Sequence, residues 1–231
     1  MRNTVSVCVP CRDVVDSGFA FDLARCVAAH TASTSDRVLL FQNQGTLIVN
    51  QRQELAQASL DAGATHIVFI DADMRFPKDA IHRLLKADKA IVAANYSTRK
   101  LPLRSVAFAD DLNQERVYTG PDDTGLQSVA AVGLGLMVIQ AEVFQAMPKP
   151  WFHIHYENGV YTGEDIWFCR GAREMGFDVF IDHDLSQDVR HSGAFEFSNA
   201  HAFAAKEDLP WRLPPTARCR LRWAIGSIGL I

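Results

Sequence analysis

His66-Ile67-Val68-Phe69-Ile70-Asp71-Ala72-Asp73 is the stretch on which the reading of the fold turns. Residues 66–70 are almost continuously apolar, without polar alternation, which describes a strand covered on both faces. Two carboxylates, one residue apart, follow at once. In an open α/β sheet, ligands bind in the crevice beyond the carboxyl ends of the strands. Asp71 and Asp73 therefore stand where two acids can converge on one point. Hard oxygen donors of this kind suit Mn²⁺ or Mg²⁺ bridging a diphosphate.

Working outward, Val5-Ser6-Val7-Cys8-Val9 alternates and stops at Pro10, a first strand. A helix is predicted over 19–30, a strand over 37–41, and a helix over 48–62 with Gly63 in the C′ position. Downstream, Pro77 opens a helix over 77–87, where its missing N–H costs nothing. Residues 90–94 form a further buried strand. This alternation predicts an α/β fold with a mostly parallel, doubly wound sheet.

Past residue 101 the pattern changes. Segments to 132 are short, polar and turn-rich. They are followed by a strand at 136–139, a short helix over 141–147, a helix over 164–175 closed by Gly176, and a strand at 177–181. No repeat or low-complexity linker divides the chain. The expectation is one domain over 1–231, with a nucleotide-binding-like half (1–100), an irregular, acceptor-side half (101–200) and a tail (201–231).

With 231 residues, 48% hydrophobic and 22% charged, the composition is that of one globular domain. A net charge of -4 leaves no global basic field for nucleic acid. Five scattered cysteines, an odd number, suit a reducing compartment. No signal peptide and no run of about 20 apolar residues is present, so a cytoplasmic location and no transmembrane segment are expected. The apolar stretch 223–231, after Arg218, Arg220 and Arg222, reads as a packed or frayed end.

Other chemistry-bearing residues compete with Asp71 and Asp73. Glu164-Asp165 opens a helix, where the dipole favours negative charge. The apolar face of Ile166, Trp167 and Phe168 behind it would hold the carboxylates rigidly enough to take or orient a hydroxyl proton. His191, in a loop after the last strand, can return to the crevice as a neutral imidazole ligand. Asp182-His183-Asp184 also follows a strand, whereas Asp110-Asp111 and Asp122-Asp123 sit in turn-like sequence suited to local backbone bonding. His153 and His155 alternate as a metal pair would, without a convergent carboxylate. Cys8-Val9-Pro10-Cys11 has the CxxC spacing, but Cys8 falls inside a strand and no second CxxC completes a zinc site.

Taken in order, a set of short motifs resembles the family 2-type GT-A glycosyltransferases and their small bacterial and phage-type relatives, from about Val5 to Gly193. The set is Val9-Pro10-Cys11-Arg12-Asp13, Gln51-Arg52-Gln53, Phe69-Ile70-Asp71-Ala72-Asp73-Met74, Val132-Gly133-Leu134-Gly135-Leu136-Met137, Gly163-Glu164-Asp165-Ile166-Trp167-Phe168-Cys169 and Val189-Arg190-His191-Ser192-Gly193. The resemblance implies a GT-A fold and a metal-dependent, non-processive transfer of sugar from a UDP- or GDP-sugar to a hydroxyl.

It implies that Pro10, Arg12 and Asp13 line the base and ribose pocket, and that Arg52 reaches the nucleotide or diphosphate. Asp71, Ala72 and Asp73 meet the ribose and metal, with Asp73 and His191 as metal ligands beside Asp71. Tyr96 and Arg99 border the donor sugar or phosphates. Gly133-Leu134-Gly135 and Trp151 form the loop region between donor and acceptor, and Asp165 with Glu164 supplies the acceptor-side base. The chain departs from the family pattern at Gln53, where Asn is common.

The acceptor is expected to be a carbohydrate or modified DNA. Arg99, Lys100 and Arg104, and likewise Arg218, Arg220 and Arg222, are the local basic clusters that bear on the DNA alternative. A catalytically inactive nucleotide-sugar-binding domain is the non-enzymatic alternative. A sugar-1-phosphate nucleotidyltransferase would need a Gly-rich phosphate loop at 10–13, and a haloacid-dehalogenase-type phosphatase would need its DxD after the first strand. Neither is present.

Overall fold

The computed structural model describes residues 2–99, 102–112 and 115–193. The first half alternates as the hydrophobic periods require. It contains β1 (Thr4–Cys11), α1 (Ser17–Ser33), β2 (Arg37–Gln44), α2 (Ile48–Asp61), β3 (His66–Ile70), β4 (Met74–Arg75), α3 (Ala80–Lys86) and β5 (Ile91–Ala93). The second half carries β6 (Ala107–Asp110), β7 (Glu115–Val117), β8 (Leu126–Val129), β9 (Leu136–Gln140) and α4 (Ala141–Ala146). It continues with β10 (His155–Glu157), β11 (Val160–Thr162), α5 (Glu164–Glu174), β12 (Val179–Asp182), α6 (His183–Asp188) and β13 (Arg190–His191).

Local chemistry sets several of these boundaries. Asp16 caps α1 by accepting from the Phe19 N–H. Gly63 and Gly176 adopt positive φ (75° and 88°) after α2 and α5. At α2 the Gly63 N–H reaches the Leu60 carbonyl and the Ala64 N–H the Ser59 carbonyl. At α5, Gly176 and Phe177 repeat the pattern on Arg173 and Ala172, as a Schellman end requires. Pro77 lies just ahead of α3 rather than within it, and its carbonyl accepts from the Ala80 N–H.

Seven strands make the central sheet, in the order β2-β1-β3-β9-β5-β12-β8. β2 and β3 run parallel to β1, β9 is antiparallel to both β3 and β5, β12 is parallel to β5, and β8 is antiparallel to β12. Five strands thus share one direction, and the sheet is mixed with a parallel majority. Sequence could not tell the direction of β9, because an apolar run covered on both faces reads the same either way.

The two faces carry two cores. One gathers Phe69, Phe144, Trp151, Phe152 and Phe168 under α2, α4 and α5, and the other packs Val5, Val7, Phe19, Ile81 and Leu84 under α1 and α3. Trp151, expected between donor and acceptor, belongs to the first core. It is 3% exposed and donates through Nε1 to the Phe144 and Met147 carbonyls at 3.0 and 3.2 Å. An indole of that size is retained where its N–H finds a buried acceptor. Gln53, the departure from the family pattern, accepts at Oε1 from the Trp151 N–H at 3.1 Å, tying α2 to this segment.

Asp22 on α1 accepts from Arg75 Nε at 2.5 Å and pairs with Arg25, so α1 is clamped beside β4. Burial works against the carboxylate's charge, but the two guanidinium groups outweigh it and hold its pKa below the usual value. A depressed folded-state pKa stabilises above the unfolded value, and the gain is lost as pH falls through the folded one. Asp22→Asn should therefore lower the melting temperature by a few degrees at pH 7, and the gap to the parent should begin to narrow as pH falls below about 3.8. Thermal melts at pH 7 and pH 3 check both parts.

Candidate functional site

A cleft of about 630 Å³ opens at the carboxyl ends of β1, β2 and β3. Strand polarity assembles it. Cys11, Gln44 and Ile70 end their strands on one edge, and β9 enters from the same edge, with Leu136 opposite Ile70. Of the residues singled out in sequence, Pro10, Arg12, Arg52, Asp71, Ala72, Asp73, Arg99, Glu164 and His191 line it.

Arg52 lies at its floor, 3% exposed. Its Nη2 donates to Asp71 Oδ1 at 2.9 Å and its Nη1 to Glu164 Oε1, across 112 residues of chain. Burial alone would discharge a guanidinium, but Asp71, Glu164 and Asp165 more than offset that and raise its pKa. Asp71, expected to share a metal, is thus engaged by Arg52, a partner that a linear motif does not display.

Asp73 has different company. Arg99 Nη1 lies 2.7 Å from its Oδ2, and His191 Nε2 lies 3.4 Å from its Oδ1. That Oδ1 is buried and has no hydrogen-bond partner. His191 arrives through the short β13–β4 pairing, which sets it opposite Met74, and the Ser192 N–H donates to the Asp73 carbonyl at 2.8 Å. Its ring is oriented by a 2.9 Å contact from Nδ1 to the Ser97 carbonyl and by the edge of Tyr96 at 5.2 Å. Burial works against the charge of His191, but Asp73 and the Ser97 carbonyl more than offset it and raise the pKa, which favours the charged ring beside Asp73. In the neutral tautomer, with Nδ1 donating to Ser97, Nε2 would turn a lone pair toward the Asp73 oxygen, and the two atoms could bind one cation side by side. Among the described residues, no three His, Cys, Asp or Glu side chains converge to hold a metal unaided. Mg²⁺ commonly takes one or two protein ligands and completes its shell with water and substrate phosphate.

Glu164 and Asp165 occupy the first turn of α5. Burial raises the pKa of both, with Arg52 partly offsetting it. Glu164 faces the cleft. Asp165 is not gripped by Arg52 and accepts at Oδ1 from the Ile166 N–H at 2.8 Å.

Of the expected residues, Asp13, Tyr96, Gly133, Leu134, Gly135 and Asp165 do not line the cleft, and others that do are paired with neighbours. Arg12 and Asp13 pair with each other at 3.3 Å and are largely exposed. Tyr96 lies behind the wall, its hydroxyl accepting from the Gly135 N–H at 3.0 Å. A Cβ on Gly133 or Gly135 would meet that hydroxyl at 2.5 Å, so these glycines admit Tyr96. Leu134 is a core residue. Arg99 bonds Asp73 and the Ser192 carbonyl, and so does not extend outward as part of a basic cluster. Lys100, the 201–231 tail and its arginines lie outside the described residues.

Val14, Val15, Asp16, Gly45, Thr46 and Ile48 also line the cleft and were not singled out in sequence. Gly45 and Thr46 follow the carboxyl end of β2, the one signal that could have found them.

The competing motifs have structural occupations. Asp182 caps α6, Asp184 accepts from the Gly125 N–H, and Asp123 from that of Gly120. Asp111 does sit in a turn, with its side chain buried between Arg170 and Arg173. Cys8 and Cys11, an odd interval apart on one strand, point to opposite faces. Cys8 bonds Ser59, and Cys11 accepts from Gln42.

No model of a known protein family matches the chain, and no curated protein matches its sequence. Solved structures do. The chain is similar to A197 from STIV, at 13% identity over 86% of this chain and 98% of that one, with a TM-score of 0.52. It is also similar to GalNAc-T7, solved with UDP, GalNAc and Mn²⁺, at 12% identity over 84% of this chain, with a TM-score of 0.55. It spans only 44% of that longer chain. At such identities the likeness is one of fold, and the fold is GT-A.

Replacing Arg52 by Met should cost about 3 kcal/mol near neutral pH, because Asp71 and Glu164 are left buried without their cation. The deficit should shrink as pH falls toward 5, because burial raises the Glu164 pKa and its protonation removes one of the two unpaired charges. Urea unfolding at the two pH values tests this.

Proposed function

We propose that the chain is a glycosyltransferase that moves a sugar from a nucleotide-sugar, with Mn²⁺ or Mg²⁺, to a hydroxyl acceptor. The observation that carries this reading is the facing pair of Asp73 and His191, a buried, partnerless carboxylate oxygen 3.4 Å from an imidazole nitrogen at the mouth of a strand-end cleft. The cleft's charge supports it. Four carboxylates (Asp16, Asp71, Asp73, Glu164) face three guanidinium groups (Arg12, Arg52, Arg99), so a diphosphate needs a further cation there. GalNAc-T7, which shares the fold, was solved with UDP and Mn²⁺.

In this reading Asp73 and His191 hold the metal, which when bound neutralises charge on the leaving diphosphate. Pro10, Val14 and Val15 offer an apolar wall, with Val14 80% exposed, for the nucleobase. Arg99 stands beside Asp73, ready to contact phosphate. Arg52 keeps Asp71 and Glu164 in place, and its bond to Glu164 occupies a carboxylate oxygen. Asp165, whose proton affinity burial raises and Arg52 does not bond, is the acceptor-side base.

The test is nucleoside diphosphate release from a panel of UDP- and GDP-sugars with Mn²⁺. Release should be lost on chelation and fall at least about 100-fold in Asp73→Asn. No release from any donor, with no metal-dependent nucleotide binding, overturns the proposal. Because burial places the Asp165 pKa above 3.8, the acid limb of kcat/KM against pH should also lie above that value. Asp165→Asn should remove the limb and about 100-fold of the rate.

A further inference from the structure

α5 has a second face away from the main cleft. A separate cavity of about 310 Å³ runs along it, walled by Pro148, Pro150, His155, Trp167, Gly171 and Met175. The Trp167 indole is held by an Nε1 contact to the Pro150 carbonyl at 3.4 Å and by the rings of His153 and His155 at 4.9 and 5.5 Å. The β10–β11 hairpin forms the outer lip. Its register places His155 opposite Thr162 and Glu157 opposite Val160 on one face, and Tyr156 opposite Tyr161 on the other. His155 and Glu157 line the cavity, with His155 Nε2 3.6 Å from Glu157 Oε2.

The charges around the cavity cancel. Lys149 and Arg170 stand against Glu157 and Glu174. Neither cation is uncommitted, since Arg170 bonds Asp111 while Lys149 donates to Gln57 and sits 4.7 Å over the Trp151 ring. Residues 150–163 contain no Lys or Arg. A polyphosphate backbone finds no free counter-charge here. An indole face beside an imidazole and a carboxylate suits a neutral ligand that pairs a C–H-rich face with hydroxyls, because the electron-rich ring attracts the slightly positive C–H groups.

Position connects the cavity to the main cleft. Trp167 is three residues past Glu164, so the two are neighbours on the helix surface, about 4.5 Å apart along its axis. We propose that this cavity is a distal acceptor subsite that seats a neutral sugar ring on Trp167, so that the acceptor is an oligosaccharide whose reacting unit lies at the first turn of α5, beside Glu164. The proposal rests on the transferase reading for its role, although sugar binding can be measured without it.

Saturation-transfer NMR on the full chain with maltotriose, lactose and chitotriose provides the test. Transfer to the ring C–H protons of at least one sugar is expected. It should fall at least fivefold in Trp167→Leu, return in Trp167→Phe, and persist in Tyr161→Ser on the hairpin's other face. The phenylalanine variant guards against simple loss of fold. Transfer from none of the sugars, transfer unchanged in Trp167→Leu, or Trp167-dependent retention of duplex DNA instead overturns the proposal. The two readings fail separately. Trp167-dependent sugar binding without any donor release sinks the transferase and keeps the cavity, whereas donor release without such binding sinks the cavity alone.

Discussion

A buried guanidinium between two carboxylates holds the site together. Arg52 on α2 joins Asp71, at the end of β3, to Glu164, at the start of α5. Removing three charges from water is costly, and only well-placed partners repay it. The arrangement is not complete, since Arg52 Nε is buried without a partner. Its consequence is registration. The irregular second half of the chain must present the first turn of α5 to the strand ends of the first half.

The same interaction divides the acids by task. Asp71 and Glu164 are spent on Arg52, which leaves Asp73 facing His191 and leaves Asp165 outside the grip. Two acidic pairs that look symmetrical along the chain thus each split into a member bonded to Arg52 and one that is not. Behind them, Tyr96 fills the space vacated by Gly133 and Gly135 and lays its ring against His191. Without those glycines the Tyr96 hydroxyl could not sit where it does.

α5 shows how one short helix can serve two surfaces. Its first turn turns Glu164 into the main cleft, while Trp167 lines the cavity beyond, and Phe168, Cys169 and Ala172 fill the core between. A period of 3.6 residues makes this division unavoidable for a helix lying at the rim of a sheet.

The sequence by itself determined the alternating first half, the helix stops at Gly63 and Gly176, and the position of Asp71 and Asp73 past a buried strand. Each of these depends on neighbours within a few residues, through hydrophobic period, backbone φ or strand polarity. Tertiary structure alone decided the direction of β9, the burial of Trp151 in the aromatic core, the capture of Asp71 by Arg52, and the seating of Asp111 between two arginines. It also delivered His191 to Asp73 through a strand pair only two residues long. Those outcomes depend on partners tens of residues away, and burial and charge pairing between distant segments leave no local pattern to read.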